Sequence, residues 1–154
     1  SRIDKDRKRS YNIHEGLDSS IMLLRGKLND NIIIKKKFSD KIDMIKCFPS
    51  QLNQVFLNII GNAIEATEGK GRITIETSIP YGKIVISIKD NGMGMTKKTK
   101  SKIFDPFYTT KEVGKGLGLG LSISYGIIEK HGGEIIVITA PKRGTEFRII
   151  LPRS

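Results

Sequence analysis

Residues 49–67, PSQLNQVFLNIIGNAIEAT, carry the strongest helical periodicity in the chain. Their apolar side chains recur at intervals of three and four residues, and these are Leu52, Val55, Phe56, Ile59, Ile60, Ala63 and Ile64. This spacing predicts an amphipathic helix that turns one apolar face to a core. Ser50 is the expected N-cap, and Gly69 and Gly71 are expected to end the helix.

Helices and strands are predicted on both sides of this helix. Periodic apolar residues predict two further helices, at 13–28 and 119–131. Runs that are β-branched or alternate in polarity predict strands, at 32–38, 42–48, 73–77, 83–89, 134–139 and 145–151. Sequential antiparallel strands with interspersed helices indicate an α/β sandwich whose helices pack on one face of the sheet.

The composition indicates one globular domain with an excess of positive charge. A chain of 154 residues with 38% hydrophobic and 28% charged residues can build a core and is not a disordered tail. No apolar run approaches the ~20 residues of a membrane-spanning helix. The single cysteine, Cys47, excludes an internal disulfide, and two histidines argue against a histidine-based zinc site. The net charge of +11 leaves a polyanionic partner open: nucleic acid, an acidic membrane or a phosphate-rich small molecule.

Asn58 and Asn62 lie four positions apart, so the predicted helix carries both side chains on one side. Two amides stacked in this way offer carbonyl oxygens, which suit a hard cation such as Mg²⁺. Taken alone, the pair is better explained as two solvated or capping asparagines.

Two glycine-rich segments are the other candidates for chemistry. Asp90 directly follows a predicted strand, where a carboxylate can accept a hydrogen bond from an exocyclic amine, and Gly92 and Gly94 allow a planar ligand to approach the backbone. An ordinary Asn-Gly turn is the alternative. Residues 114–121 (GKGLGLGL) place glycines at every second position before a helix, which is typical of a phosphate cradle, with a flexible loop as the alternative. Neither a Walker A loop nor a Rossmann fingerprint is present.

In this order, the motifs resemble those of the catalytic ATP-binding domain of two-component sensor histidine kinases, in the GHKL superfamily. The matching segments are 54–67 (N box), 90–95 (DNGMGM, G1 box), 103–111 (IFDPFYTTK, F box), 114–123 (GKGLGLGLSI, G2 box) and the pair Gly144-Thr145. The resemblance implies the Bergerat ATP-binding fold, which is an α+β two-layer sandwich. Its sheet is mixed and mostly antiparallel, its helices pack on one face, and a long mobile ATP lid covers the site.

The resemblance also implies a role for each matching position. Asn62 is expected to coordinate Mg²⁺, Asn58 to lie beside the phosphates, and Asp90 to bind the adenine amine. The other expected nucleotide contacts are Gly92 and Gly94 at the adenine, Gly116, Leu117, Gly118, Leu119 and Gly120 at the phosphates, and Thr145 at the adenine edge. Residues 96–116 would form the lid, anchored by Phe104 and Phe107. Lys111 and Lys115 are candidates for phosphate contacts, with solvated lysines as the alternative, and Asn58, Asn62 and Lys111 form the expected catalytic set.

Asn58 stands where superfamily ATPases such as gyrase and MutL carry the glutamate that activates water. An amide cannot take a proton at neutral pH, so the expected reaction is γ-phosphoryl transfer from Mg²⁺-ATP to a histidine rather than hydrolysis. Leu117 departs from the threonine of many relatives. His14-Glu15 is only superficially similar to the phosphoacceptor motif, because no proline follows before Pro49, and His131 is expected to cap a helix.

The acceptor histidine is therefore expected on a separate dimerisation and phosphoacceptor domain. Residues 1–12 are expected to be a linker to that domain or its end, and residues 13–154 the catalytic domain. The expected partners are ATP, that upstream domain and the receiver domain of a response regulator, without nucleic acid. We expect a cytoplasmic domain that is monomeric alone, in a homodimeric parent protein. The alternatives are an ATPase-driven machine of the same superfamily, a serine kinase of the anti-sigma type and a nucleic-acid-binding module.

Overall fold

The computed structural model describes residues 7–42, 44–105 and 118–153. Four α-helices lie in these ranges: α1 (Ile13–Leu23), α2 (Pro49–Ala66), the short α3 (Lys97–Lys100) and α4 (Gly118–Lys130). They contain seven strands: β1 (Arg9–Tyr11), β2 (Ile32–Lys37), β3 (Ile45–Cys47), β4 (Gly71–Ser78), β5 (Lys83–Asp90), β6 (Glu134–Thr139) and β7 (Thr145–Pro152). Single 3₁₀ turns occupy Arg25–Lys27 and Pro80–Gly82.

Five of the strands form one sheet in the order β2-β4-β5-β7-β6. β2 pairs with β4 in parallel, and the other three pairings are antiparallel. In β5 the side chains of Ile84, Ile86 and Ile88 are buried while Lys83 and Lys89 are exposed, because neighbouring residues of a strand point to opposite faces. The predicted mixed, mostly antiparallel α/β sandwich is confirmed.

The helix α2 fills the centre of the core with its apolar face. It packs against both α1 and α4 and reaches β5 of the sheet. The prediction of Ser50 as N-cap is wrong, since the helix begins at Pro49 and the capping position is Phe48, whose side chain makes no capping hydrogen bond. Proline suits the first helical position because its missing N–H would have no partner there.

The segment before α1 contains a strand that the sequence analysis did not predict. Arg9–Tyr11 forms β1, which pairs antiparallel with β3 as a separate two-stranded sheet. A strand of three polar or aromatic residues has no apolar period, so only its pairing reveals it. Two elements are also shorter than predicted. The helix predicted at 13–28 ends at Leu23 in α1, and the strand predicted at 42–48 covers only Ile45–Cys47 in β3.

Within the three described ranges, no helix is both long and apolar enough to cross a bilayer.

Candidate functional site

Asp90 ends β5 with its carboxyl group inside the protein, and the residue is only 3% exposed. The backbone N–H of Gly92 donates to Asp90 Oδ1 over 2.8 Å. Burial raises the pKa of Asp90, and the backbone N–H groups of Gly92 and Thr145 oppose part of that rise. A carboxylate has about four lone-pair sites, so these contacts orient the group and leave capacity for a ligand's donor.

The loop that follows Asp90 is attached to three different elements. Asn91 exchanges two hydrogen bonds with the backbone of Arg72, at 2.8 and 3.2 Å, which joins the loop to β4. The N–H of Met93 donates to the carbonyl of Ala66 at the end of α2, over 3.2 Å. The carbonyl of Met93 accepts from the N–H of Lys142, in the β6–β7 turn, over 2.6 Å. These bonds hold the loop over the end of the helix α2.

Gly92 and Gly94 are required by the packing of this loop. A Cβ at Gly92 would collide with the carbonyl group of Ala66. Gly94 has φ +67°, and a Cβ there would collide with the carbonyl oxygen of Ala140. Both glycines were predicted to allow the approach of a ligand, and the structure adds a reason that operates without any ligand.

Thr145 is the register partner of Asp90 across β5 and β7 and is 5% exposed. Its hydroxyl lies 2.8 Å from that of Thr139, which donates its own proton to the carbonyl of Gly144 over 3.0 Å. Thr145 must therefore be the donor in the contact between the two hydroxyls, since each hydroxyl has one proton. The lone pairs of Thr145 Oγ1 remain available beside Asp90.

Asn58 lies on α2 and contacts α4. Its Nδ2 donates to the carbonyl of Gly120 over 3.1 Å and to Ser124 Oγ over 3.2 Å. A Cβ on Gly120 would lie 3.0 Å from the Cγ of Asn58, so the glycine allows the two helices to approach closely here. Gly120 was predicted to face the phosphates, and its contact with Asn58 was not predicted.

Asn62 lies one turn beyond Asn58 on the same side of α2 and is half-buried. Its side chain makes no hydrogen bond to the residues that the structure describes. The same residues contain no cluster of three or more His, Cys, Asp or Glu side chains able to hold a metal. A carbonyl oxygen of Asn62 fits Mg²⁺ that takes its remaining ligands from water and a bound phosphate, as this ion commonly does.

The glycine-rich segment is described only from Gly118, which begins α4, and the side chain of Leu119 lies outside the description. The predicted contacts at Lys111, Lys115, Gly116 and Leu117, and the predicted anchor Phe107, lie outside the described residues. The other predicted anchor, Phe104, is half-buried and packs with its ring centroid 5.2 Å from that of Tyr125 on α4.

Neither histidine is placed in this site. His14 stacks on Phe38 with ring centroids 4.5 Å apart, and its Nε2 lies 2.9 Å from the hydroxyl of Thr77. His131 caps α4 as predicted, because its Nδ1 lies 2.8 Å from the carbonyl of Ile127. Nε2 of His131 also accepts from the N–H of Phe48 over 3.1 Å, which joins the end of α4 to the start of α2. Burial lowers the pKa of both histidines.

Two residues of the site were not predicted from the sequence. Thr139 accepts a hydrogen bond from the N–H of Met95 over 3.0 Å, and Ser124 accepts one from the Asn58 amide. Ser124 offers one signal in retrospect, because a polar residue one turn after Gly120 interrupts an apolar helix. Thr139 offers none, since threonine is an ordinary residue at the end of a strand.

Comparison with known proteins identifies the family. Residues 48–154 match the family model described as histidine kinase-, DNA gyrase B-, and HSP90-like ATPase. The chain is 44% identical to sporulation kinase E of Bacillus subtilis (strain 168) over 135 residues, which are 86% of this chain and 18% of that protein. It is 46% identical to the signal transduction histidine-protein kinase AtoS of Escherichia coli (strain K12) over 102 residues, which are 66% of this chain and 16% of that protein.

The solved catalytic domain of histidine kinase ThkA superimposes with a TM-score of 0.83 and 33% identity, covering 95% of both chains. The present chain spans less than a fifth of the length of the two curated relatives named above. The α/β sandwich described above agrees with these matches: the chain belongs to the histidine kinase-, DNA gyrase B- and HSP90-like ATPase family and is a histidine kinase catalytic domain.

Proposed function

We propose that this domain binds Mg²⁺-ATP and transfers the γ-phosphoryl group to a histidine on a separate dimerisation and phosphoacceptor domain of the same kinase. The observation that carries the proposal is the buried Asp90 carboxylate at the end of β5. Its orientation by backbone N–H groups leaves acceptor capacity for the exocyclic amine of adenine. Thr145, the register partner of Asp90, would lie at the adenine edge.

The triphosphate would extend from the adenine along α2 toward Asn62 and the start of α4. Asn62 would supply a protein ligand to Mg²⁺, which would contribute neutralisation of the phosphate charge when bound. The glycine-rich segment and Lys111 and Lys115 would hold the phosphates. The chemical task of these groups is to position and neutralise the triphosphate, because an imidazole nitrogen is itself a good nucleophile.

The charge distribution supports a triphosphate ligand. Four exposed lysines surround α3, just after the Asp90 loop, and these are Lys97, Lys98, Lys100 and Lys102. None forms an ion pair with an acidic side chain in the described part of the chain. A group of cations near an anion-binding site raises the local concentration of anions and speeds their association.

Asn58 supports transfer rather than hydrolysis. An amide cannot accept a proton at neutral pH, so no general base stands at this position of α2 to activate water. In addition, the Asn58 Nδ2 is occupied by contacts with Gly120 and Ser124. Rapid steady hydrolysis of ATP by the purified domain, abolished by Asn58→Ala, would contradict this part of the proposal.

The phosphoryl acceptor is proposed to lie outside this sequence. His14 is half-buried, stacked on Phe38 and held by Thr77, which supports a structural role for it, and His131 is bonded through both ring nitrogens. We further propose a response regulator receiver domain as the next partner. In a second structure, which aligns with this chain at 30% identity, ThkA was solved in complex with the response regulator protein TrrA. The domain boundary at residue 12, the homodimeric parent and a cytoplasmic location also remain proposals.

Transfer in trans tests the function directly. Purified domain is incubated with γ-labelled ATP, Mg²⁺ and the histidine-containing segment expressed separately from the same gene. We expect acid-labile label on that segment, none on the catalytic chain by itself, and loss of transfer in Asp90→Asn. Label released only as inorganic phosphate would instead favour an ATPase, and acid-stable label would favour a serine kinase.

A further inference from the structure

The amide of Asn58 has a defined orientation in the contact between α2 and α4. Its nitrogen lies 3.1 Å from the carbonyl oxygen of Gly120 and 3.2 Å from Ser124 Oγ. A backbone carbonyl can only accept, so the end of the amide that faces Gly120 must be the NH₂ group. The carbonyl oxygen Oδ1 is therefore the free end, and no residue in the described ranges donates a hydrogen bond to it.

Ser124 is a buried polar residue whose hydroxyl meets this amide. It is 0% exposed, and a hydroxyl so placed requires a hydrogen-bond partner, which Asn58 supplies. Gly120 precedes it by one helical turn, so both contacts with Asn58 come from one face of α4. Together, the carbonyl of Gly120 and the hydroxyl of Ser124 form what we call the Asn58 seat.

We propose that Ser124 is a positioning residue, which holds the Asn58 amide so that its Oδ1 faces a hydrogen-bond donor at the nucleotide. A phosphate oxygen is an acceptor, as is Oδ1, so the two repel each other. A water in the hydration shell of the nucleotide-bound Mg²⁺ is a donor and is compatible with Oδ1. Asn58 would thus act on the metal's water beside Asn62, instead of on the phosphates. This inference rests on the proposed binding of Mg²⁺-ATP.

A buried serine could serve packing alone, and a matched pair of variants separates the two roles. Ser124→Ala removes the hydroxyl from the seat. Ser20→Ala removes another buried hydroxyl, which in the structure donates to the Gly16 carbonyl within α1 over 2.9 Å and has no contact with Asn58. Both variants test the cost of losing a buried hydroxyl, while only the first releases the amide.

The first measurement is the calorimetric affinity for ATP as a function of Mg²⁺ concentration. Ser124→Ala is expected to raise the Mg²⁺ concentration for half-maximal binding by about threefold to tenfold, the range of one hydrogen bond. Its affinity for ATP in EDTA should equal that of the wild type, and Ser20→Ala should change neither value. Adding Ser124→Ala to Asn58→Ala should have no further effect, because both changes remove one interaction.

The second measurement needs no nucleotide. In ¹⁵N-labelled protein, the side-chain NH₂ of Asn58 should be protected from hydrogen exchange, and Ser124→Ala but not Ser20→Ala should remove that protection. An unprotected NH₂ in the wild type, or a Mg²⁺ dependence that Ser124→Ala leaves unchanged, overturns the inference. If the wild type binds no ATP while its NH₂ is protected, the proposed function fails and only the orientation of the amide stands.

Discussion

Asp90 and Thr145 face each other across β5 and β7, and their pairing brings a buried carboxylate to a hydroxyl with free lone pairs. The two residues are 55 positions apart in the chain. Because they belong to adjacent strands, the backbone ladder holds them in place before any ligand arrives. The adenine end of the proposed site is thus built on the sheet, which supplies rigid support for recognition.

Replacing the carboxylate tests this end of the site. Asp90→Asn should weaken binding of ADP by about tenfold to a hundredfold, the range of a hydrogen bond to a charged group. Asn Oδ1 can still accept from the N–H of Gly92, so its NH₂ would face the adenine amine, and two donors would oppose each other. Calorimetric titration measures the effect, with the exposed Asp40→Asn as control. Unchanged affinity for ADP would refute the assignment of Asp90.

Nucleotide binding should also depend on pH through Asp90. The pKa of this group is raised from its ordinary value of 3.8, chiefly by burial. The ionised form, which accepts the adenine amine, is therefore lost at a higher pH than for an exposed aspartate. Affinity for ADP should fall as the pH is lowered from neutrality toward the raised pKa, and the fall should be smaller in Asp90→Asn. Parallel pH profiles for the two proteins would contradict this prediction.

Stability should depend on pH through His131. Its pKa is lowered from the ordinary value of 6.5, first by burial, and its Nε2 must be unprotonated to accept from Phe48. The unfolded chain then binds the proton more readily than the folded one. The contribution of His131 is complete above about pH 6.5 and is lost as the pH falls through the lowered pKa of the folded state.

Urea denaturation across this pH range measures the loss of folding stability that the protonation of His131 is expected to cause. His131→Gln should reduce the pH dependence without abolishing it, because the pKa of His14 is lowered as well and acts in the same direction. His14→Gln is the matched variant, and the double variant should retain the least dependence. An undiminished pH dependence in the double variant would show that other groups are responsible.

Two glycines of α4 provide a matched test of the helix contact. A Cβ on Gly126 meets no atom within 4 Å, whereas one on Gly120 would lie 3.0 Å from Cγ of Asn58. Gly126→Ala should stabilise the domain by about 0.5–1 kcal/mol, the usual gain of alanine over glycine in a helix. The free energy of unfolding of Gly120→Ala should be about 1 kcal/mol or more lower than that of Gly126→Ala, because Asn58 must shift. Equal unfolding free energies of the two variants would disprove the close contact.

Local patterns predicted most of the elements because their signals are short-ranged. The periodicity of residues 49–67 and the alternation around Ile84, Ile86 and Ile88 depend only on neighbours in the chain, and both elements lie where predicted. The strand Arg9–Tyr11 was not predicted, because its pairing with Ile45–Cys47 leaves no local signal in the sequence. The N-cap at Ser50 was also misjudged, because Pro49 can begin a helix and moves the boundary by two residues.

The candidate site also has a part that the sequence predicted and a part that only the tertiary structure decided. The order of motifs identified Asp90, Asn58, Asn62 and Thr145 as candidates, and the family matches confirm the histidine kinase assignment on which that choice rested. Which side chains meet was decided by the tertiary structure. The register of β5 with β7 joins Asp90 to Thr145, and the packing of α4 on α2 occupies the Asn58 NH₂. Residue types and their spacing are properties of the sequence, whereas hydrogen bonds between residues over 50 positions apart exist only once strands and helices have packed.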